Sequence, residues 1–150
     1  MITLGYRVQW SDVDYARIVY FLRYPEWVAD GFHRVLYERG FSLRESVAAG
    51  YGLPYVDTSC RYHRALTLED EAEIRMNVTD LDAKGFTLHY EIFQAGEPNL
   101  VADGTMVRRC ISLQPRRSQP MPETLYRILG EIAGDSDHQA APLNPRGARC

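Results

Sequence analysis

Lysine is almost missing from this chain. Lys84 is the only one, and arginine carries nearly all the positive charge. An excess of either sign is missing too: the formal net charge is −3 over 150 residues. General attraction to nucleic acid or to an anionic membrane is therefore not expected, although a local basic patch remains possible. Cysteine is sparse and unpatterned. Cys60, Cys110 and Cys150 are far apart, with no CxxC or CxxH pair, which argues against a zinc site or a disulfide framework and suits a reducing compartment. No apolar run approaches the roughly 20 residues of a membrane helix. The opening MITLGYRVQW has no basic region followed by an apolar stretch, so no signal peptide is expected and the reading is a soluble, cytoplasmic protein.

What remains is an ordinary globular composition, 45% apolar and 25% charged, enough for one domain with a real core. Residues 2–10, ITLGYRVQW, read as a strand, and 11–15 as a turn. Residues 22–39 carry the clearest helical pattern, with Tyr24, Trp27, Val28, Phe32, Val35 and Leu36 on one face. Pro25 fits only the first turn, and Gly40 is a natural stop. SLRESVAAG reads as a short helix. The period then changes to strands over 54–64, 69–80, 84–95 and 99–113, with DLDAKG and AGEPN as hairpin turns. The expected order is strand, long helix, then a four-stranded antiparallel meander. Residues 114–122 read as a Pro-rich connector and 123–133 as an amphipathic helix. The domain is expected to span 1–133, with 134–150 as a poorly ordered tail.

The segment S-D-V-D-Y-A-R-I-V-Y-F, residues 11–21, places Asp12 and Asp14 against a short apolar run at the entrance to the long helix. By themselves two such acids are ordinary turn residues. Their spacing to Ile18, Val19, Tyr20 and Tyr24, together with the element order, resembles the signature of the 4-hydroxybenzoyl-CoA thioesterase family and its YbgC-like relatives. The resemblance covers about Tyr6 to Leu113. It implies an α+β hotdog fold: an antiparallel sheet of about five strands wrapped around a long central helix. It also implies an acyl-CoA thioesterase acting on a small or aromatic acyl group, with Asp14 as nucleophile or general base. Backbone N–H groups at the helix N-terminus, that of Phe21 above all, would polarise the thioester oxygen. Asp12 would be structural, capping or pairing with Arg17.

Further site residues follow from the same resemblance. Tyr15, Arg17, Tyr20 and Tyr24 border the implied acyl pocket, and Asp57 and Thr58 lie on the strand that faces it in relatives. Lys84, Arg61 and Arg64 are candidates for the phosphates of CoA, with Arg108, Arg109, Arg116 and Arg117 behind them. The sequence departs from the family at Tyr15-Ala16-Arg17, where many members carry Pro-Ala-Gly or Ala-Gly-Gly. It departs again at Ala29, where some have an Asp that reads the substrate hydroxyl. No metal or redox cofactor is implied, and CoA enters only as part of the substrate. Homodimers or homotetramers are expected, because open sheet edges need cover. Two alternatives stand beside this reading: a thioesterase for acyl-carrier protein, and a non-catalytic domain that binds an acyl ligand. His33, His63 and His89 read as structural or exposed residues.

Overall fold

The computed structural model describes residues 1–134 and the backbone of residues 138–139. From the N-terminus, β1 (Ile2–Arg7) leads through a 3-10 turn (Trp10–Asp12) to α1 (Arg23–Glu38) and α2 (Leu43–Ala48). β2 (Tyr51–Gly52) and β3 (Tyr55–Tyr62) precede three long strands, β4 (Glu71–Asp82), β5 (Gly85–Gln94) and β6 (Leu100–Arg109). β7 (Ile111–Leu113), β8 (Arg116–Ser118), α3 (Glu123–Gly134) and β9 (His138–Gln139) complete the order.

α1 starts where its composition allows. Pro25 lies in its first turn, and Gly40 ends it at a positive φ of 92°, with the Phe41 N–H donating back to Leu36 O (2.9 Å). Its apolar stripe from Tyr24 to Leu36 is buried. The stripe meets the alternating inward residues Ala72, Ile74, Met76 and Val78 of β4, and Phe86, Leu88, Tyr90 and Ile92 of β5. Phe32 packs on Phe86 at 5.7 Å between ring centroids. One face of the sheet is thus core and the other is polar, as an antiparallel sheet permits. α3 adds Leu125, Ile128, Leu129 and Ile132 to the same core. None of the described helices is long and apolar enough to cross a membrane.

The main sheet has the order β3-β6-β5-β4-β1-β9. Five of these strands are antiparallel to their neighbours, and β9 adds in parallel beside β1. The expected five-stranded sheet and central helix are both present. The four-strand meander is not. Only β4, β5 and β6 form one, and β3 lies at the far edge beside β6. The reason is the connection after β3. Residues 63–70 are not a tight hairpin turn. They carry Leu66 into the core, where its carbonyl accepts the Val19 N–H (2.9 Å) and its N–H reaches Tyr24 Oη (3.2 Å). The chain is tied to the entrance of α1 and cannot fold straight back along β3.

The connector reading of 114–122 also changes. β7 and β8 form a hairpin there, and with β2 they make a small second sheet. The tail expected from 134 onward lies outside the described residues, apart from the end of α3 and the backbone of β9.

Candidate active site

The two acids of the SDVD segment are physically different. Asp12 is 3% exposed and its carboxylate accepts from the Tyr6 hydroxyl (2.8 Å), the Gln9 N–H (2.7 Å) and the Trp27 indole N–H (3.4 Å). Its charge is approached by Arg23 Nε at 3.9 Å. The expected partner Arg17 is not involved. Burial, then the hydrogen bond to Asp12, pushes the Tyr6 hydroxyl well above its ordinary value. Asp12 therefore clamps β1 to the start of α1; the hollow it borders, with Tyr6, Gln9, Arg23 and Trp27, is separate from the cleft beside Phe21.

Asp14 is half-buried and opens a tight reversal. Its N–H donates to Ile18 O (2.9 Å), its carbonyl accepts the Arg17 N–H (3.0 Å), and Val13 bridges Val19. Its Oδ1 accepts the Ala16 N–H (2.7 Å), and among the described residues none donates to Oδ2. The departure at Tyr15 to Arg17 now has a geometric content. Arg17 holds φ at +66°, a conformation that favours glycine. Arg17→Gly should raise stability by about 1 kcal/mol, read as a higher urea midpoint. Tyr15 and Arg17 project into solvent, and Tyr15 is 99% exposed.

The second limb of this ribbon runs into the helix. Val19 is pinned to Leu66 O and Tyr20 to Asp12 O (2.8 Å). Among the described residues none accepts the N–H of Phe21, so the donor at the mouth of α1 is uncommitted. A cleft of about 320 Å³ opens beside it, lined by Ile18, Val19, Phe21 and Tyr24 on one wall and Tyr62, His63 and Arg64 on the other. The sequence reading missed Tyr62. Its hydroxyl donates to Phe21 O (2.9 Å) and its ring packs on Phe21 and Tyr24, fixing the loop that carries the free N–H. Nothing in its local sequence marks it, because the contact spans 41 positions. His63 is held by Asp103 through Nε2.

The remaining expected residues separate. Tyr24 and Arg64 reach the cleft, but the Tyr24 ring is core and its hydroxyl serves Leu66. Tyr20 is partly exposed and packs edge-on against Phe21. Asp57 and Thr58 lie on the open edge of the sheet in β3, away from the cleft wall formed by Tyr62. Arg61 lines a hollow with His89 and Asp103 instead of the cleft. Lys84 sits in the β4–β5 hairpin at the opposite end of the sheet, where its carbonyl accepts the Cys110 N–H. Within one protomer these residues are not brought together. Among the described residues no group of three or more His, Cys, Asp or Glu side chains is placed to hold a metal.

His33 proves to be structural in part, as expected, but strongly perturbed. Burial, then the Arg108 guanidinium, lowers its pKa from 6.5 to about 4. A folded pKa below the unfolded one stabilises fully above pH 6.5, and that contribution is lost as pH falls toward 4. The urea midpoint of the wild type should thus drop between pH 6.5 and 4 more steeply than that of His33→Phe.

Family comparison decides the class of this site. The model of the thioesterase-like superfamily matches residues 8–129. The chain belongs to this superfamily, and with it to the thioester hydrolases. It is similar to a 1,4-dihydroxy-2-naphthoyl-CoA hydrolase of Synechocystis sp., 27% identical over 118 residues, 78% of this chain and 86% of that one. The crystal structure of a 1,4-dihydroxy-2-naphthoyl-CoA thioesterase from Synechocystis superposes with a TM-score of 0.82 at 25% identity, covering 87% of this chain and 96% of that one. A gentisyl-coenzyme A thioesterase superposes with a TM-score of 0.73 at 26% identity, covering 85% and 98%. In this thioesterase-like chain the sheet and central helix are the hotdog arrangement that the sequence resemblance implied.

Proposed function

We propose that this chain hydrolyses the thioester of an aromatic acyl-CoA to the free acid and CoA. The observation that carries the reading is the pairing of Asp14, with one free carboxylate oxygen on a closed turn, and the uncommitted Phe21 N–H at the mouth of α1. In this reading the thioester enters the cleft beside the Phe21 N–H, and Asp14, which is not among the residues lining that cleft, approaches it from the preceding turn. The Phe21 N–H donates to the carbonyl oxygen as charge develops on it. Asp14 either attacks the carbonyl carbon, expelling CoA thiolate and leaving a mixed anhydride for water, or removes the proton of an attacking water. Similarity to hydrolases of hydroxylated naphthoyl and benzoyl thioesters supports an aromatic acyl group.

The functional unit in this proposal is a homodimer joined through β3. Residue after residue of this eight-residue edge strand is exposed, including Tyr55, Val56 and Tyr62. An open edge of that length and apolarity calls for a partner strand. A second copy, antiparallel across a two-fold axis, satisfies it and makes one continuous sheet. Self-pairing carries the partner's Lys84 end of the sheet to this protomer's cleft. There, with Arg64, it meets the phosphates of CoA, while Tyr15, Arg17 and Tyr20 form the rim. Release of free thiol from benzoyl-, hydroxybenzoyl- and hydroxynaphthoyl-CoA tests the reading. Turnover of at least one is expected, and inertness towards all of them would overturn it.

A further inference from the structure

One buried cation has no anion among the described residues. Arg108 on β6 is 4% exposed. Its Nε and Nη2 groups donate to Leu53 O, and Nη1 donates to His33 Nε2 (2.7 Å). The Tyr55 ring covers the guanidinium at 4.4 Å. Among the described residues no carboxylate pairs with it. Burying a guanidinium is costly, and a carbonyl, an imidazole and an aromatic face are what offset it.

The consequence falls on His33. A guanidinium only donates, so Nε2 must accept, and the ring proton must sit on Nδ1. His33 is thereby a neutral N–H donor of fixed tautomer. It forms part of the wall of a groove of about 650 Å³ between α1 and α2, with Tyr37, Phe41 and Leu43 supplying apolar surface. Ala29, one turn earlier on α1, offers no polar group.

Two tyrosines at the ends of β3 stand beside His33 and beside the cleft. A register shift between Tyr55 and Asp57 turns both ends of β3 toward α1. Tyr62 thus packs on Phe21, at 6.3 Å, and Tyr55 faces His33, at 6.4 Å. Val56 is the extra residue of that shift, so among the paired residues of β3 the middle one is Ser59. In the self-paired dimer each Tyr62 therefore lies opposite the partner's Tyr55. On the proposed self-pairing, an acyl group held at Phe21 and directed along β3 would pass Tyr62 and reach the partner's Tyr55 and the partner's His33.

We infer that His33, oriented by Arg108, is the donor that selects an aromatic acyl group bearing a ring hydroxyl, acting in the partner protomer's site. His33 touches the substrate oxygen, and Arg108 is a positioning residue. The inference rests on the thioesterase reading and on self-pairing through β3.

The test compares kcat/KM for benzoyl-CoA with its monohydroxy and 2,5-dihydroxy forms. The wild type should favour the best hydroxylated thioester by about tenfold or more. His33→Phe should remove that preference, the fall in kcat/KM being about tenfold larger for the hydroxylated thioester than for benzoyl-CoA. His33→Leu replaces it if the Phe variant does not fold. Arg108→Gln should weaken the preference, and Arg108→Lys, which still donates to Nε2, should restore much of it. No preference in the wild type, or an equal fall for both thioesters in His33→Phe, overturns the inference, as does a monomer in sedimentation. If no thioester is cleaved, the thioesterase reading fails by itself. Calorimetric binding of the same pairs then decides the inference, and an affinity ratio untouched by His33→Phe overturns it.

Discussion

Asp14→Asn is expected to lower kcat by about 1,000-fold or more, whether the carboxylate attacks or activates water. The substitution is sharp because of the local geometry. The carboxylate accepts one hydrogen bond, from the Ala16 N–H, and the amide oxygen of Asn accepts it equally well. The reversal closed by Asp14 and Ile18 is built from backbone groups and is unaffected. The folded state should survive with its urea midpoint nearly unchanged, and KM should move little, because charge and basicity are what is lost. Asp12→Asn makes the contrast. It removes a buried charge that three donors and Arg23 address, so its effect should appear in stability. Thiol-release kinetics and urea titration of the two variants separate chemistry from scaffold. Full activity in Asp14→Asn would sink the mechanism.

On the proposed self-pairing through β3, Thr58→Asp is expected to give monomers and to lower kcat/KM by roughly 100-fold, since the partner's share of the proposed site is then no longer positioned. The site lies on the exposed edge, so a monomer loses no core contact. In the proposed self-paired dimer it lies one residue from the two-fold axis, so the two new carboxylates are diagonal neighbours across the paired strands, and like charges there repel. Sedimentation velocity reads the oligomeric state and thiol release the activity. A dimer that persists with full activity would place the subunit contact elsewhere than β3.

Much of the fold was legible in the chain. The spacing of Tyr24, Trp27, Val28, Phe32, Val35 and Leu36 specifies a helix with one apolar face, and the alternation of Phe86, Leu88, Tyr90 and Ile92 specifies a half-buried strand. Both patterns are local, with periods set by backbone geometry. The acidic motif was legible for the same reason: Asp14, its turn and the Phe21 N–H lie within eight consecutive residues. What was misread is non-local. The position of β3 beside β6 depends on Leu66 anchoring a long connection to the start of α1.

By itself, then, the sequence determined the element types, the apolar face of α1 and the closeness of an acid to a helix N-terminus, because each depends on neighbours within a few positions. Only the tertiary structure decided how differently the two acids are surrounded. Asp12 is consumed by Tyr6, Gln9 and Trp27, contacts that require β1 and α1 to be packed together. Packing also decided that Tyr62 holds the Phe21 loop and that Arg108 fixes the tautomer of His33, 75 positions away in the chain. Side chains that distant meet only after the sheet has closed on the helix, and no local periodicity encodes that meeting.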